Sequence, residues 1–190
     1  VVRGPLVVPD APNRVLFEVS ELPPGKHVFQ AEVDLGEYTI TSPRHTYWNE
    51  ETPFRWEGSV IYQIVVDRFL GADGEALERN GARRYHGGHL DGIRAAVERG
   101  YFEELEVDVI WLSPLNDNPE GRFLGRDGEE AEAYHGYWAK SPRDVENRFG
   151  TEASLDALIE AAHARGLRVL LDFAPNHIHE QHPYVQNAPS

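Results

Sequence analysis

Val169-Leu170-Leu171-Asp172-Phe173-Ala174-Pro175-Asn176-His177 decides how this chain is read. An apolar run ends in a carboxylate, a Pro stops the strand, and an amide and an imidazole follow. Such a segment buries its middle and presents polar groups at its C-terminal end. In a parallel barrel that end is where chemistry sits. A glycine-capped helical segment, Glu152 to Gly166, precedes it. Together they predict a βα-type unit with a functional strand tip. Periodicity alone also fits an ordinary structural strand.

A second block removes much of that ambiguity. Ala133-Tyr134-His135-Gly136-Tyr137-Trp138-Ala139-Lys140 sets aromatic rings and a His around one Gly, and Arg148-Phe149-Gly150-Thr151 follows. Three further segments stand in order upstream: Val60 to Ile64 continuing through Asp67-Arg68-Phe69, Gly87-Gly88-His89-Leu90-Asp91-Gly92-Ile93, and Val109-Ile110-Trp111-Leu112-Ser113-Pro114. From Val60 to about His177 the chain resembles the alpha-amylase superfamily of glycoside hydrolases. The cyclodextrin glycosyltransferase, cyclomaltodextrinase and amylase members are the ones it is similar to.

The resemblance implies a fold and a set of roles. The fold expected is α/β: the first three β/α units of a (β/α)8 TIM barrel, preceded by the last strands of a β-sandwich. The domains expected are 1–56, a partial sandwich with its linker, and 57–190, the N-terminal part of the barrel. Tyr137 matches the family tyrosine that stacks on the sugar at the cleavage point. His177 matches the histidine that hydrogen-bonds the same sugar, and His135 and Trp138 flank that floor. Trp138 fits plain core packing equally well.

Asp172 matches a supporting aspartate, not the nucleophile. The family's nucleophilic aspartate, acid/base glutamate and transition-state aspartate follow later strands, so no catalytic carboxylate is expected within these residues. Asn176 matches an amide-oxygen calcium ligand. Calcium takes roughly six to eight oxygens, and the other matching ligands would lie beyond Ser190. A second calcium site, at the first barrel loop, is not expected. His89 stands where an aspartate is needed and Gly71 where an acidic ligand is, although Asp73 is close. Calcium is therefore an optional ligand, and no cofactor is required.

Composition sets outer bounds. Lys plus Arg number 18 against 32 Asp plus Glu, a net charge of −14, which repels nucleic acid and anionic membrane and suits a neutral ligand such as a sugar. The 41% hydrophobic content suits a packed core. Without Cys there is no disulfide framework and no reading of redox compartment. No apolar run is long enough to span a membrane as a helix. Val1 to Pro9 is interrupted by Pro5 and Pro9, and no signal-peptide pattern is visible. Cytoplasmic and secreted locations both stay open. The absence of Met leads us to expect a processed product or a piece of a longer protein.

Along the first 56 residues, strands are predicted at 15–19, 27–33 and 37–41, with a linker over 46–58. A whole sandwich takes roughly 100 residues, so only its last strands are expected. Strands at 60–66, 107–112 and 169–173 follow. Ile93, Val97, Tyr101 and Leu105 predict one helical face, and Leu155, Leu158, Ile159 and Ala162 a second. Residues 113–150 read as a long loop, with Asp127–Glu132 a solvated acidic stretch. A three-stranded parallel sheet leaves an open edge, so the remainder of a barrel, a rearrangement or self-association is expected to cover it. His86, His89, His163, His179 and His182 raise the question of a transition metal, but His177, His179 and His182, though close in sequence, lie in a loop without a fixed face, so surface or hydrogen-bonded histidines are the reading taken.

The reading that results is part of a retaining glycosidase acting on α-1,4 bonds of starch, maltodextrin or cyclodextrin, with α-1,6 bonds a second option. It would be a hydrolase or a transglycosylase of carbohydrate metabolism, inactive as this piece alone. The alternative is a non-catalytic carbohydrate-binding protein on the same fold. A purely structural fragment would have no use for Tyr137 and His177.

Overall fold

Short runs of β-branched and aromatic residues cut by Pro and Gly can form only short ladders. The computed structural model describes residues 2–7, 15–50, 54–125 and 127–187; for Val2–Val7, Val15 and Pro142 it describes the backbone alone. Two compact units result, Val1–Glu57 and Gly58–Ser190. In the first, β1 (Val2–Val7) pairs antiparallel with β2 (Val15–Val19), and the register slips between Arg3 and Leu6. Pro5 falls in that slip. A strand was not expected through this Pro; the irregularity accommodates it, because a Pro cannot donate to a regular ladder.

Next, β3 (Gly25–Phe29) pairs with β6 (His45–Asn49), and β4 (Glu32–Asp34) with β5 (Thr39–Thr41). The strand expected over 27–33 is thus two. The chain leaves one ladder for the other at Ala31, whose N–H donates to Ser42 Oγ at 2.9 Å. The expected linker begins later than Thr46, since β6 runs to Asn49.

The second unit centres on a three-stranded parallel sheet whose strands lie in the order 168–171, 109–112, 61–64. Strand β7 (Ile61–Ile64) runs into a 3-10 turn at Val66–Arg68. Helices α1 (Leu90–Glu98) and α2 (Tyr101–Glu104) lead to β8 (Val109–Leu112), with Ile61 opposite Val109 and Ile64 opposite Leu112. The predicted helical face is broken at Gly100, which takes φ +83. After the break Phe102 is buried instead, and Leu105 is 46% exposed. A left-handed residue resets the phase, so a spacing counted across it no longer marks one face.

The expected loop of 113–150 contains two short antiparallel ladders. They are β9 (Asn116–Asp117) with β12 (Ser141–Val145), and β10 (Phe123–Leu124) with β11 (Glu130–Ala131). The acidic stretch is accordingly part strand, and Arg83 Nη2 meets Asp127 Oδ2 at 2.7 Å. Helix α3 (Glu152–Ala164) is N-capped by Thr151, whose Oγ1 accepts from Ser154 N–H. Strand β13 (Arg168–Leu171) then lies on β8, Arg168 opposite Val109 and Leu171 opposite Leu112. A last short helix, α4, covers Pro183–Gln186.

The core packs Ile64, Ile110 and Leu112 of the sheet against Ile93, Val97, Phe102, Leu158 and Ala162 of the helices. Beyond the strand ends two bonds continue the register: Ser113 N–H to the Ile64 carbonyl and Asp172 N–H to the Leu112 carbonyl. That continuation fixes where the Asp172 side chain leaves the sheet.

Candidate functional site

Asp172 is the first residue after β13, and its Oδ2 accepts the hydroxyl hydrogen of Tyr137 from the loop before β12. The same loop is tied at a second point. His177, five residues past Asp172, donates through Nε2 to the Tyr137 carbonyl at 2.9 Å. A strand tip and a loop residue distant in sequence are thus joined by a phenol–carboxylate bond and an imidazole–carbonyl bond. The Asp172 bond, with lesser help from burial, pushes the Tyr137 hydroxyl up to about 12. It therefore stays protonated and keeps donating across the range in which proteins work.

Gly136 is what lets the loop turn here. It holds φ +84, and a Cβ would lie 2.1 Å from the Pro114 carbonyl oxygen. Only a residue without a side chain permits that approach. The turn brings the half-buried His135 back over Tyr137. His135 Nδ1 accepts the Tyr137 N–H at 3.0 Å, and the two rings stack with centroids 5.8 Å apart at 26°. Burial, then the positive Arg68, then His177, hold His135 below the ordinary histidine range, so its Nδ1 lone pair is available.

Trp138 stands edge-on to His135 at 4.8 Å and to Phe123 at 5.7 Å, while its backbone N–H donates to Asn118 Oδ1. All the residues expected around the floor, Tyr137, His177, His135 and Trp138, are therefore gathered with Asp172. On its other side Asp172 borders a cleft of about 380 Å³ lined by Leu115, Asn116, Val145, Leu171 and Phe173.

Two supports were not singled out from sequence. Asp67 is fully buried; it accepts from the N–H groups of His86 and Gly87 and pairs with Arg68. Burial raises its carboxyl above the usual range in spite of those donors. The Arg68 guanidinium lies 3.8 Å over the Tyr134 ring. Deeper still, Glu146 is completely buried and binds Arg148 through two oxygens, 2.7 Å each. The motif Asp67-Arg68-Phe69 was visible, but nothing in its spacing places it under residue 134.

The remaining candidates are not drawn in. Asn176 is exposed, and no group of three or more His, Cys, Asp or Glu that could hold a metal occurs among the described residues. The residues around Asn176 do not by themselves fit a calcium ion, which demands several hard oxygens. His89 caps α1, its Nδ1 accepting Asp91 N–H at 3.1 Å. His86 Nε2 meets the Gly81 carbonyl, and His179 Nδ1 accepts from Gln181 N–H. His182, expected in an unstructured loop, is buried at 3% exposure and caps α4.

A carboxylate-anchored phenol and stacked rings, with His135 held below the ordinary histidine range, suit a ligand with apolar C–H faces and many hydroxyls. Comparison with known proteins agrees. A profile of the alpha amylase catalytic domain matches residues 63–190. The chain belongs to the alpha-amylase family. It is 38% identical over 126 residues to a cyclomaltodextrin glucanotransferase of Geobacillus stearothermophilus, covering 62% of this chain and 17% of that one. It is 35% identical over 127 residues to an alpha-amylase of Niallia circulans, covering 62% of this chain and 24% of that one. The solved alpha-amylase of Geobacillus thermoleovorans, complexed with acarbose, superposes with a TM-score of 0.59 at 34% identity, over 72% of this chain and 27% of its own. The fold is thus amylase-like, and the chain spans only a sixth to a quarter of the curated relatives named.

Proposed function

We propose that this chain supplies the substrate floor of a retaining α-glucan hydrolase or transglycosylase that cleaves α-1,4 bonds, with α-1,6 bonds the second option. The sheet and helices of 57–190 are then the first three β/α units of a (β/α)8 barrel, and residues 1–56 the last strands of a sandwich. The observation that carries this is Tyr137 at a strand tip, its hydroxyl held by Asp172 and its backbone carbonyl by His177. The open edge at β13 supports it: Leu171 is 53% and Phe173 65% exposed, as befits a sheet that further strands complete.

In this reading Tyr137 packs against the C–H face of the reacting sugar. His177 exchanges its bond to the Tyr137 carbonyl for one to a sugar hydroxyl, or offers its other nitrogen. Retaining hydrolysis takes two carboxyl groups about 5 Å apart flanking the bond. Those are the residues that follow later strands in the family, so this polypeptide alone performs no cleavage. Should calcium bind, Asn176 would contribute one oxygen.

The proposal implies a longer protein that carries the later strands of the barrel, and the test is made on it, with maltodextrin as substrate. His177→Ala removes an exposed imidazole and is expected to cost under about 1 kcal/mol of stability. Efficiency should nevertheless fall on the order of ten- to a thousandfold, from a lost hydrogen bond to a reacting sugar. Tyr137→Ala should lower turnover in the folded fraction as well, because the platform acts on the distorted ring. The 190-residue polypeptide, free of host amylase, is the blank. Full activity of His177→Ala at normal melting temperature removes that residue from the site. Sugar binding without turnover by the longer protein selects the non-catalytic carbohydrate-binding alternative.

A further inference from the structure

The Asp67–Arg68 pair sits below the floor without touching Tyr137, yet a continuous path of contacts joins them. Asp67 has no exposure, and its two oxygens are engaged by His86 N–H, Gly87 N–H and Arg68. Held so, the Arg68 guanidinium also donates to the Ala82 carbonyl at 3.0 Å and spreads over the Tyr134 ring at 3.8 Å. Tyr134 stands edge-on to His135 at 5.3 Å, and His135 receives the Tyr137 N–H. A planar cation fits this place in a way an ammonium does not, because it stacks on a ring and forks to two oxygens together.

We propose that Arg68 is a positioning residue for the sugar platform: seated by Asp67 and stacked on Tyr134, its guanidinium keeps His135 turned with Nδ1 as an acceptor, and so fixes the Tyr137 ring. The inference rests on Tyr137 being the platform. An imidazole that accepts through Nδ1 must carry its hydrogen on Nε2. Protonation places a hydrogen on Nδ1 as well, facing the Tyr137 N–H, and the bond is lost. The charged and titratable groups acting on His135 are Arg68 from the turn after β7 and His177 from the loop after β13, and both lower it. On its own loop it meets the Tyr134 and Tyr137 rings. Asp67 is engaged by Arg68 and two backbone N–H groups, and Asp172 by the Tyr137 hydroxyl. Removing the Arg68 charge therefore raises the pH at which His135 takes up its second proton, and the platform begins to loosen nearer neutrality.

The experiment has an arm that involves no sugar. In the 190-residue chain, nitrogen-15 histidine spectra give the tautomer and titration midpoint of His135. Wild type should show the Nε2–H tautomer and a depressed midpoint. Arg68→Gln should raise that midpoint toward the ordinary histidine range, with burial still holding it down. Arg68→Lys keeps the charge without the fork and should fall between them. If Arg68→Gln does not fold, wild type still decides: a His135 protonated on Nδ1 near neutral pH overturns the assembly. So does a midpoint that Arg68→Gln leaves in place.

In the longer protein, the acid limb of kcat/KM on maltodextrin should move upward with Arg68→Gln and recover partly with Arg68→Lys. A loss of activity proportional at every pH, with the limb unmoved, marks a merely structural arginine and overturns the proposal. A His135 shift in the chain together with a Tyr137→Ala enzyme of full activity overturns the platform reading instead, and leaves the Arg68–His135 assembly standing.

Discussion

Gly136→Ala is expected to destabilise the second unit and disassemble the floor together. The added Cβ would meet the Pro114 carbonyl oxygen at 2.1 Å, a distance that no rotamer relieves because the backbone fixes where the Cβ stands and the oxygen is itself backbone. The residue must also keep φ +84, which disfavours any L side chain. Left-handed strain and overpacking together come to about 2–5 kcal/mol. Part of that can be relieved only by moving the 133–138 loop off β8's exit. His135 then no longer receives the Tyr137 N–H, and Tyr137 no longer reaches Asp172. Denaturant unfolding of the chain, followed by tryptophan fluorescence, should show a lower midpoint, and the His135 resonance should lose its single tautomer. Wild-type stability with an unchanged His135 signal would show that the close approach to Pro114 does not exist.

Glu146→Ala should be comparably severe for a different reason. Glu146 is fully buried; its Oε1 accepts from the Arg148 N–H and side chain, and its Oε2 from Arg148 and from Asn118 N–H at 3.0 Å. Burial by itself would raise this carboxyl. The Arg148 bonds outweigh it and hold the group below the usual carboxylate range. Truncation leaves the Arg148 cation, stacked 4.1 Å from the Tyr85 ring, without its partner.

Removing one member of a buried pair costs about 3–5 kcal/mol. For a chain of this length that is a fall of very roughly 6–20 °C in melting temperature. The pH dependence carries the sign. A carboxyl depressed in the folded state contributes stability that is present above its unfolded pKa and lost as pH falls through the folded value. Wild type should therefore lose stability on acidification below about pH 4, and Glu146→Gln should lose less of it over that interval. Parallel acid profiles for the two proteins would mean that Glu146 is not held ionised by Arg148.

Asn118 links this pair to the floor, since its side-chain oxygen receives the Trp138 N–H while its own N–H donates to Glu146. The Glu146 variant should thus disturb Trp138 as well as stability. Sequence showed Arg148-Phe149-Gly150-Thr151 as a motif. It did not show that Glu146, two residues earlier, is the buried group that motif serves. A Glu in a loop is ordinarily solvated, and only the packing of β9 against β12 closes water out.

The strands expected at 60–66, 107–112 and 169–173 are found, shorter or shifted by a residue or two, at 61–64, 109–112 and 168–171, and the helical segment expected over 152–166 is found at 152–164. Continuous apolar runs and helical spacing are written locally, and motif order carries family membership. What failed were statements that depend on phase or partnership. One left-handed glycine at Gly100 exchanged Leu105 for Phe102 in the core. No strand was expected over 2–7, where Pro5 falls in a slipped register. The acidic stretch stays solvated as expected, Asp127 and Glu130 being more than half exposed, while it also meets Arg83 and Arg84 from another loop.

The sequence by itself therefore determined the family, the class of the second unit and the identity of the residues at its strand tip. Those follow from local periodicity and residue chemistry, which survive in any order of packing. Only the tertiary structure decided that Asp67 seats Arg68 over Tyr134, that Glu146 is buried on Arg148, and that His177 reaches the Tyr137 carbonyl. Each joins residues through space, with a geometry and an exclusion of water that a linear spacing does not encode.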